Sequence, residues 1–429
     1  MITAAVALFI LSSVPADAQT EAVLHSFNYA PFQQNTACPP STQDGLPYAG
    51  LLLYKGHLYG TTPEGGAGEK GVRYSRDGMA FKLNPPESGE TVWGKTTLHS
   101  FLPDTEQNID GNYPCSNLIE ENGKFYGTTV GGGEHDLGVL FALTPPPKGQ
   151  TDWTESLVYT FTGLTDGGRP FGGLTVDNTG TFYGANYWGV NGAEAGLIFQ
   201  INCDPSLCIE NTLYSAPLGT YINGGLLVDN GDGSIFGTSP NGGQYGYGNV
   251  FQLTLSAGKW NYYDLYDFTG GADGAYPNGG LLGSAGDLFG TAQRGGDATA
   301  PEGSGVLFEL RELTPGSPYT LFIQHTFTGL NGSPDGSAPA AGFYQDASGS
   351  YWGTCEYGGS EDRGTIFELY PDRYKVHVWH YQQMYSFIGG TNDGAYPEAT
   401  LTGDSSGNLY GTTSSGGTAS DGTIFEFTP

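Results

Sequence analysis

The chain has 429 residues, with 15 Lys and Arg against 44 Asp and Glu, and a formal net charge of −29. So acidic a chain excludes nucleic acid as the bulk partner, because phosphate binding draws on basic side chains. The 71 glycines follow no three-residue period, which excludes collagen and marks them as turn residues.

From the N-terminus, Ala4 to Val14 is mostly apolar, and Ala16-Asp17-Ala18 is a small-x-small cleavage site. This predicts a secretory signal peptide over residues 1–18, although no Lys or Arg precedes the apolar run. The run is too short to span a membrane, and no later segment qualifies. The mature chain, 19–429, is expected to be secreted or periplasmic, monomeric and a single domain. Its short runs of Leu, Val, Phe, Tyr and Thr between Gly, Asn, Asp and Pro clusters predict an all-β protein. Five cysteines fit an oxidising compartment. Cys203 and Cys208 flank a four-residue loop that a disulfide would staple; Cys38 and Cys115 lie in equivalent loops of neighbouring repeats; Cys355 is left as a buried thiol.

An aromatic-Gly-Thr mark organises everything after the leader. It reads Tyr59-Gly60-Thr61, Tyr126-Gly127-Thr128, Tyr183-Gly184-Ala185, Phe236-Gly237-Thr238, Phe289-Gly290-Thr291, Trp352-Gly353-Thr354 and Tyr410-Gly411-Thr412. A recurring mark at this spacing means one supersecondary unit copied along the chain. Each copy predicts four strands: an apolar run; a tight turn such as Lys55-Gly56, Asn122-Gly123 or Ser406-Gly407 and then the marked strand; a third strand centred on a Phe such as Phe81 or Phe425; and a fourth ending in a segment such as Leu98-His99-Ser100-Phe101. Trp93, Trp153, Trp260 and Trp379 open fourth strands and are read as packing residues. Seven such units predict a seven-bladed β-propeller. The mature chain begins with a fourth-strand piece, Leu24 to Phe27, and stops after a third strand, Thr423 to Phe427. This predicts 3+1 closure, the N-terminal strand completing the last blade.

The string Asn408 to Thr413, Gly416-Gly417, then Gly422-Thr423-Ile424-Phe425-Glu426-Phe427-Thr428-Pro429 resembles the Gloeo-Verruco (GloVer) tandem repeat family of exported bacterial proteins. The resemblance covers the mature chain and departs in copy four, where Ala216 replaces the aromatic and the following Asp-Gly is missing. It implies export and repeats, and no agreed chemistry, so no catalytic residue is carried over from it.

In an up-and-down blade the loops after the second and fourth strands share one face. That face carries the insertions, from Gly60 to Phe81, from Gly290 to Phe308 and from Phe27 to Gly60, and insertions on a rigid scaffold mark a functional face. Five of the seven arginines lie in its loops: Arg73, Arg76, Arg169, Arg294 and Arg363. Their forks match carboxylate or sulfate, unless each pairs with a local acid, as Arg363 with Asp362 or Glu361. His135 is the loop histidine of this face; Tyr187-Trp188 is a non-repeat aromatic pair suited to stacking on sugars. The recurring Asp-Gly pairs, at Asp110, Asp166, Asp273, Asp335 and Asp393 with Asp44 as a shortened version, read as carboxylates capping their own loops. No cofactor is expected; Ca²⁺ at these aspartates is the sharper alternative.

These features predict binding, and cleavage, of an acidic polysaccharide or other glycan. Among enzymes a polysaccharide lyase is favoured, with Arg169, Arg294 or Arg363 neutralising a uronate and His135 or Tyr276 as base; Arg73, Arg76, Tyr187 and Trp188 complete the binding set. Two alternatives stand beside it. One is a glycoside hydrolase with paired carboxylates drawn from Glu64, Glu69, Glu134, Asp136, Glu194, Glu302 and Glu361; the other is a non-catalytic glycan-binding scaffold.

Overall fold

Every aromatic-Gly-Thr mark is the second strand of a four-stranded antiparallel sheet. The computed structural model describes residues 19–27, 49–65, 78–87, 92–102, 109–204, 207–284, 286–296, 303–329 and 335–429. The expected leader, Cys38, Asp44, Glu69, Arg73, Arg76 and Glu302 lie outside the described residues. Blade 1 runs outward through Leu52–Tyr54, His57–Thr62, Met79–Asn84 and Gly94–Ser100. Blades 2 to 6 repeat that order. The seventh sheet is built from Thr402–Gly403, Leu409–Thr413 and Thr423–Thr428, and its outer strand is Thr20–Ser26 from the other end of the chain, with Thr20 opposite Thr428. The protein is thus an all-β, seven-bladed propeller. Among the described residues the one helical piece is the 3₁₀ turn Val190–Gly192, and no helix is long and apolar enough to cross a membrane.

Each residue of the mark has a separate job. The glycine faces the third-strand Phe: a Cβ on Gly127 would lie 2.7 Å from Phe141 Cζ and 2.9 Å from Leu118 Cδ2. Only a residue without a side chain lets the ring lie flat there. Gly127→Ala is expected to destabilise by about 2 kcal/mol through overpacking, read as a lower calorimetric Tm; an unchanged Tm would mean that Phe141 moves aside freely. The threonine stitches one blade to the next. Thr61 Oγ1 donates to the Ser116 carbonyl (2.8 Å), Thr128 to Pro170 (3.2 Å), Thr238 to Gly279 (3.1 Å), Thr291 to Ala341 (2.9 Å), Thr354 to Ala399 (3.4 Å) and, from the last blade back to the first, Thr412 to Ala49 (3.4 Å). Copy three has Ala185 and no hydroxyl to donate. In three copies, where the inner hairpin carries an aspartate, the aromatic secures it: Tyr183, Trp352 and Tyr410 donate to Asp177, Asp346 and Asp404.

The expected two-residue turns hold at Lys55-Gly56 and Asn122-Gly123, where both residues have positive φ. Ser406-Gly407 differs. There Asp404 Oδ1 accepts from the Ser406 and Asn408 amides (2.8 and 3.0 Å), so a longer aspartate-capped loop replaces the tight turn. The tryptophans pack as expected: Trp153 on Phe125 and Tyr59 of the preceding blade, Trp379 on Phe289 and Tyr351. Cys203 and Cys208 form a disulfide, Cys115 is also disulfide-bonded, and Cys355 is a buried free thiol.

Candidate binding site at the channel mouth

The innermost strands and the segments leading into them enclose a central channel of about 390 Å³, lined largely by Gly and Ala, with Glu398 as its charged lining residue. Around the mouth one backbone pose recurs just before a proline. Tyr113, Arg169, Tyr276, Ala338 and Tyr396 all have left-handed φ, between 54° and 59°, a conformation costing a non-glycine residue roughly 1–2 kcal/mol. Each carbonyl accepts an amide from the end of the marked strand: from Val130, Tyr187, Gln293, Glu356 and Ser414 respectively, at 3.0–3.1 Å. These bonds tie together the loops after the second and fourth strands, the two expected to share a face. The pose is common to the repeat; the side chain displayed on it is not.

At blades 3 and 4 the display is aromatic and cationic. The Arg169 guanidinium lies 3.9 Å from the Trp188 ring centroid. Arg169 Nε is buried with no hydrogen-bond partner, and among the described residues Arg169 forms no ion pair. Tyr187 stacks on Tyr221 (4.3 Å between centroids, 1° between planes), and Phe171 meets the Tyr187 edge at 5.5 Å. Burial, then the hydrogen bond to Tyr221, pushes the Tyr187 phenol up to about 12. Arg169, Tyr187 and Trp188 are thus brought together.

At blades 5 to 7 the display is acidic. Glu356, 7% exposed, occupies the position that Tyr187 holds in blade 3. Gln293 Nε2 lies 3.5 Å from its Oε2; Tyr357 also hydrogen-bonds it, and Arg294 is within electrostatic reach. Burial raises its carboxyl above the usual carboxylate range. Glu398 adds a second carboxylate within reach of Tyr357. Arg363 sits 5.8 Å from the Tyr396 ring, which in turn meets Tyr357 at 5.6 Å. The expected local pair of Arg363 with Asp362 is absent: Asp362 Oδ1 accepts from the Gly358 amide (2.8 Å).

The remaining candidates scatter. His135 and its neighbours Glu134 and Asp136 are exposed, and among the described residues His135 has no hydrogen bond or ion pair. Only its near neighbour Leu137 touches the cluster, accepting the Arg169 amide through its carbonyl (2.7 Å). Tyr276 sits on the recurring pose in blade 5, its ring 6.2 Å from Tyr247. Glu194 and Glu361 are exposed.

The Asp-Gly aspartates do cap their loops. Asp166 accepts from the Thr162 amide (2.8 Å) and the Tyr159 hydroxyl (2.9 Å), Asp273 from Thr269 (2.7 Å) and Tyr266 (3.1 Å), and Asp110 faces His99 (3.0 Å). In copy four, where Asp-Gly is missing, Tyr214 stacks instead on Tyr262 of the next blade (4.2 Å).

Residues 146–333 and 299–429 match the family model described as the Gloeobacter/Verrucomicrobia repeat. The chain belongs to this family. Among solved structures, an ancestral GH74 enzyme is similar, with 10% identity and a TM-score of 0.50, over 89% of this chain and 50% of its own; the chain spans about half the length of that structure. YjhT is similar at 12% identity and a TM-score of 0.42, over 81% of this chain and 99% of its own. At such identity the likeness is one of fold. No curated protein matches the sequence.

Sequence reasoning passed over Glu356, Glu398 and Tyr221. Their signal was positional: Glu398 follows the recurrent proline, Tyr221 holds the column before it in a copy where Ile222 replaces the proline, and Glu356 follows the mark by two residues.

Proposed function

We propose that the exported protein binds an acidic polysaccharide at the channel mouth, with Arg169 as the carboxylate clamp and Trp188, Tyr187 and Tyr221 as its aromatic wall. The observation that carries this is the Arg169 guanidinium: braced on Trp188, buried at Nε, and without an acidic partner. A planar fork held in that way is preorganised for a carboxylate and has little rotamer freedom left to lose. The test is calorimetry and affinity electrophoresis with polygalacturonate, alginate and glucuronan against neutral dextran. Arg169→Ala is expected to weaken binding of the acidic polymers about tenfold or more; equal binding of neutral and acidic polymers, or no effect of the substitution, would sink the reading.

Cleavage is a second step, and hydrolysis fits better than elimination. A lyase needs a base beside the clamp, whereas His135 is exposed and uncoupled from it, Tyr276 belongs to blade 5, and the phenol at the clamp, Tyr187, holds its proton tightly. The observation favouring hydrolysis is Glu356, a buried carboxyl with a raised pKa, suited to donating a proton to a leaving oxygen, with Glu398 on the channel wall as the second carboxylate. Release of reducing ends that is lost in Glu356→Gln, without new absorbance from unsaturated sugars, is the expected result. Unsaturated product would restore the lyase.

A further inference from the structure

The seven seams between blades are variations on one scaffold, which makes each a control for the others. Across each seam a fourth-strand residue two before the terminal aromatic position is matched by a residue six before it on the next blade; six of these pairs are in contact or within electrostatic reach, and Tyr266 and Leu321 pack against one core cluster. The pairs are His25 with Lys95, Tyr159 with Glu210, Tyr214 with Tyr262, Tyr266 with Leu321, His325 with Tyr381, Tyr385 with Glu21, and His99 with Glu155. Only the last of these combines an imidazole, a carboxyl group from the next blade and a turn aspartate. His99 Nε2 lies 3.0 Å from Asp110 Oδ2, and one ligand atom from each of His99, Asp110 and Glu155 falls within 4.8 Å of the others. The Asp110 side chain is 10% exposed and that of His99 22%. Glu155 Oε1 is buried and has no hydrogen-bond partner. A buried carboxylate oxygen without a donor is costly, and a cation in the same gap would supply what it lacks.

We propose that His99, Asp110 and Glu155 form a binding site for a divalent first-row transition metal, with Zn²⁺ as the representative ion, pinning blade 1 to blade 2. One imidazole nitrogen and two carboxylate oxygens make a borderline-soft set that suits Zn²⁺, Mn²⁺ or Co²⁺. Ca²⁺ is disfavoured, since it takes six to eight oxygens. The partial exposure of His99 leaves one side open for water as a further ligand. A backbone amide orients the aspartate: Gly111 donates to Asp110 Oδ1 (2.9 Å). A second group, Asp287, Glu309 and His377, is spaced similarly. There the Arg311 guanidinium already sits 3.1 Å from Glu309 Oε1 and Gln324 donates to Oε2 (2.6 Å), so a cation is in place.

The repeat supplies fold-safe variants. His99→Tyr installs the residue that Tyr159, Tyr214, Tyr266 and Tyr385 already provide, and Glu155→Tyr installs the one used at Tyr262 and Tyr381. The mature chain, stripped with EDTA, is titrated with Zn²⁺ by calorimetry and with Co²⁺ by visible absorption. One equivalent of Zn²⁺, a Tm raised by several degrees and Co²⁺ d–d bands are expected in the wild type, and none of these in His99→Tyr or Glu155→Tyr. His377→Ala is expected to leave them unchanged. Absence of Zn²⁺ binding in the wild type, binding that survives His99→Tyr, or binding lost in His377→Ala would each overturn the proposal.

Discussion

A chain lacking residues 20–27 is expected to lose its cooperative melting transition near the wild-type temperature and to self-associate. Those residues form the outer strand of the seventh sheet, paired from Thr20–Thr428 to Ser26–Thr423, and Phe27 follows them into the core against Phe81 (5.8 Å). Without them Thr423–Thr428 becomes an open edge, a template for pairing with other chains. A fall in Tm of about 10 °C or more is expected, with oligomers in size-exclusion chromatography. The milder Phe27→Ala is expected to cost about 3–4 kcal/mol, as for a large buried aromatic. A synthetic peptide of residues 19–27 added in trans is expected to restore much of the Tm. A truncated chain that melts like the full one would mean the strand contributes no stability.

The same strand gives the protein an acid-favouring stability. Burial, then the nearby Asp393, pushes the Glu21 carboxyl from 4.5 up to about 8. Burial raises Glu210 to about 7, opposed by its hydrogen bond from Thr212 and reinforced by Asp166. Both hold a proton more tightly folded than unfolded. Their stabilisation is therefore complete below about pH 4.5 and is lost as pH rises through 7 to 8. On the acid side, burial raises the hairpin aspartates Asp177, Asp346 and Asp404, but the several hydrogen bonds each accepts outweigh it and hold them below their ordinary values. Their contribution is present above about pH 4 and lost as pH falls further. The Tm is expected to peak near pH 5 and fall by roughly 5 °C by pH 8.5. Burial also raises Glu155 and Glu309 to about 7, so Glu21→Gln is expected to remove about a third of the alkaline slope; an unaltered slope in that variant would exclude Glu21 as a source.

What could be read in the sequence was whatever repeats. The mark fixed blade count and strand order because its glycine must admit a Phe ring in every copy, and its threonine must reach the next blade. The Asp-Gly pairs were legible as caps for the same reason. The site was legible in part. Arg169, Tyr187 and Trp188 stood out as departures from the repeat and do converge, because both loops that carry them are tied by the Arg169–Tyr187 backbone bond. His135 also stood out, yet it faces solvent; singularity in a loop says nothing about which way a side chain turns. Glu356, Glu398 and Tyr221 were obscured because their meaning depends on contacts between blades.

The missing threonine has a mechanical consequence. The joint at Ala185, between blades 3 and 4, is fastened elsewhere: Thr175 Oγ1 donates to the Leu226 carbonyl (2.5 Å) and the Asn178 amide to Asn230 Oδ1 (3.1 Å). The bond the other six joints share is missing only near the stacked Tyr187 and Tyr221 and the Arg169–Trp188 pair. A ligand seated there spans the one joint whose fastening has moved away from the channel mouth. Occupancy then adds a fastening at the mouth end of a joint otherwise held lower down, and its stiffening effect is local to blades 3 and 4.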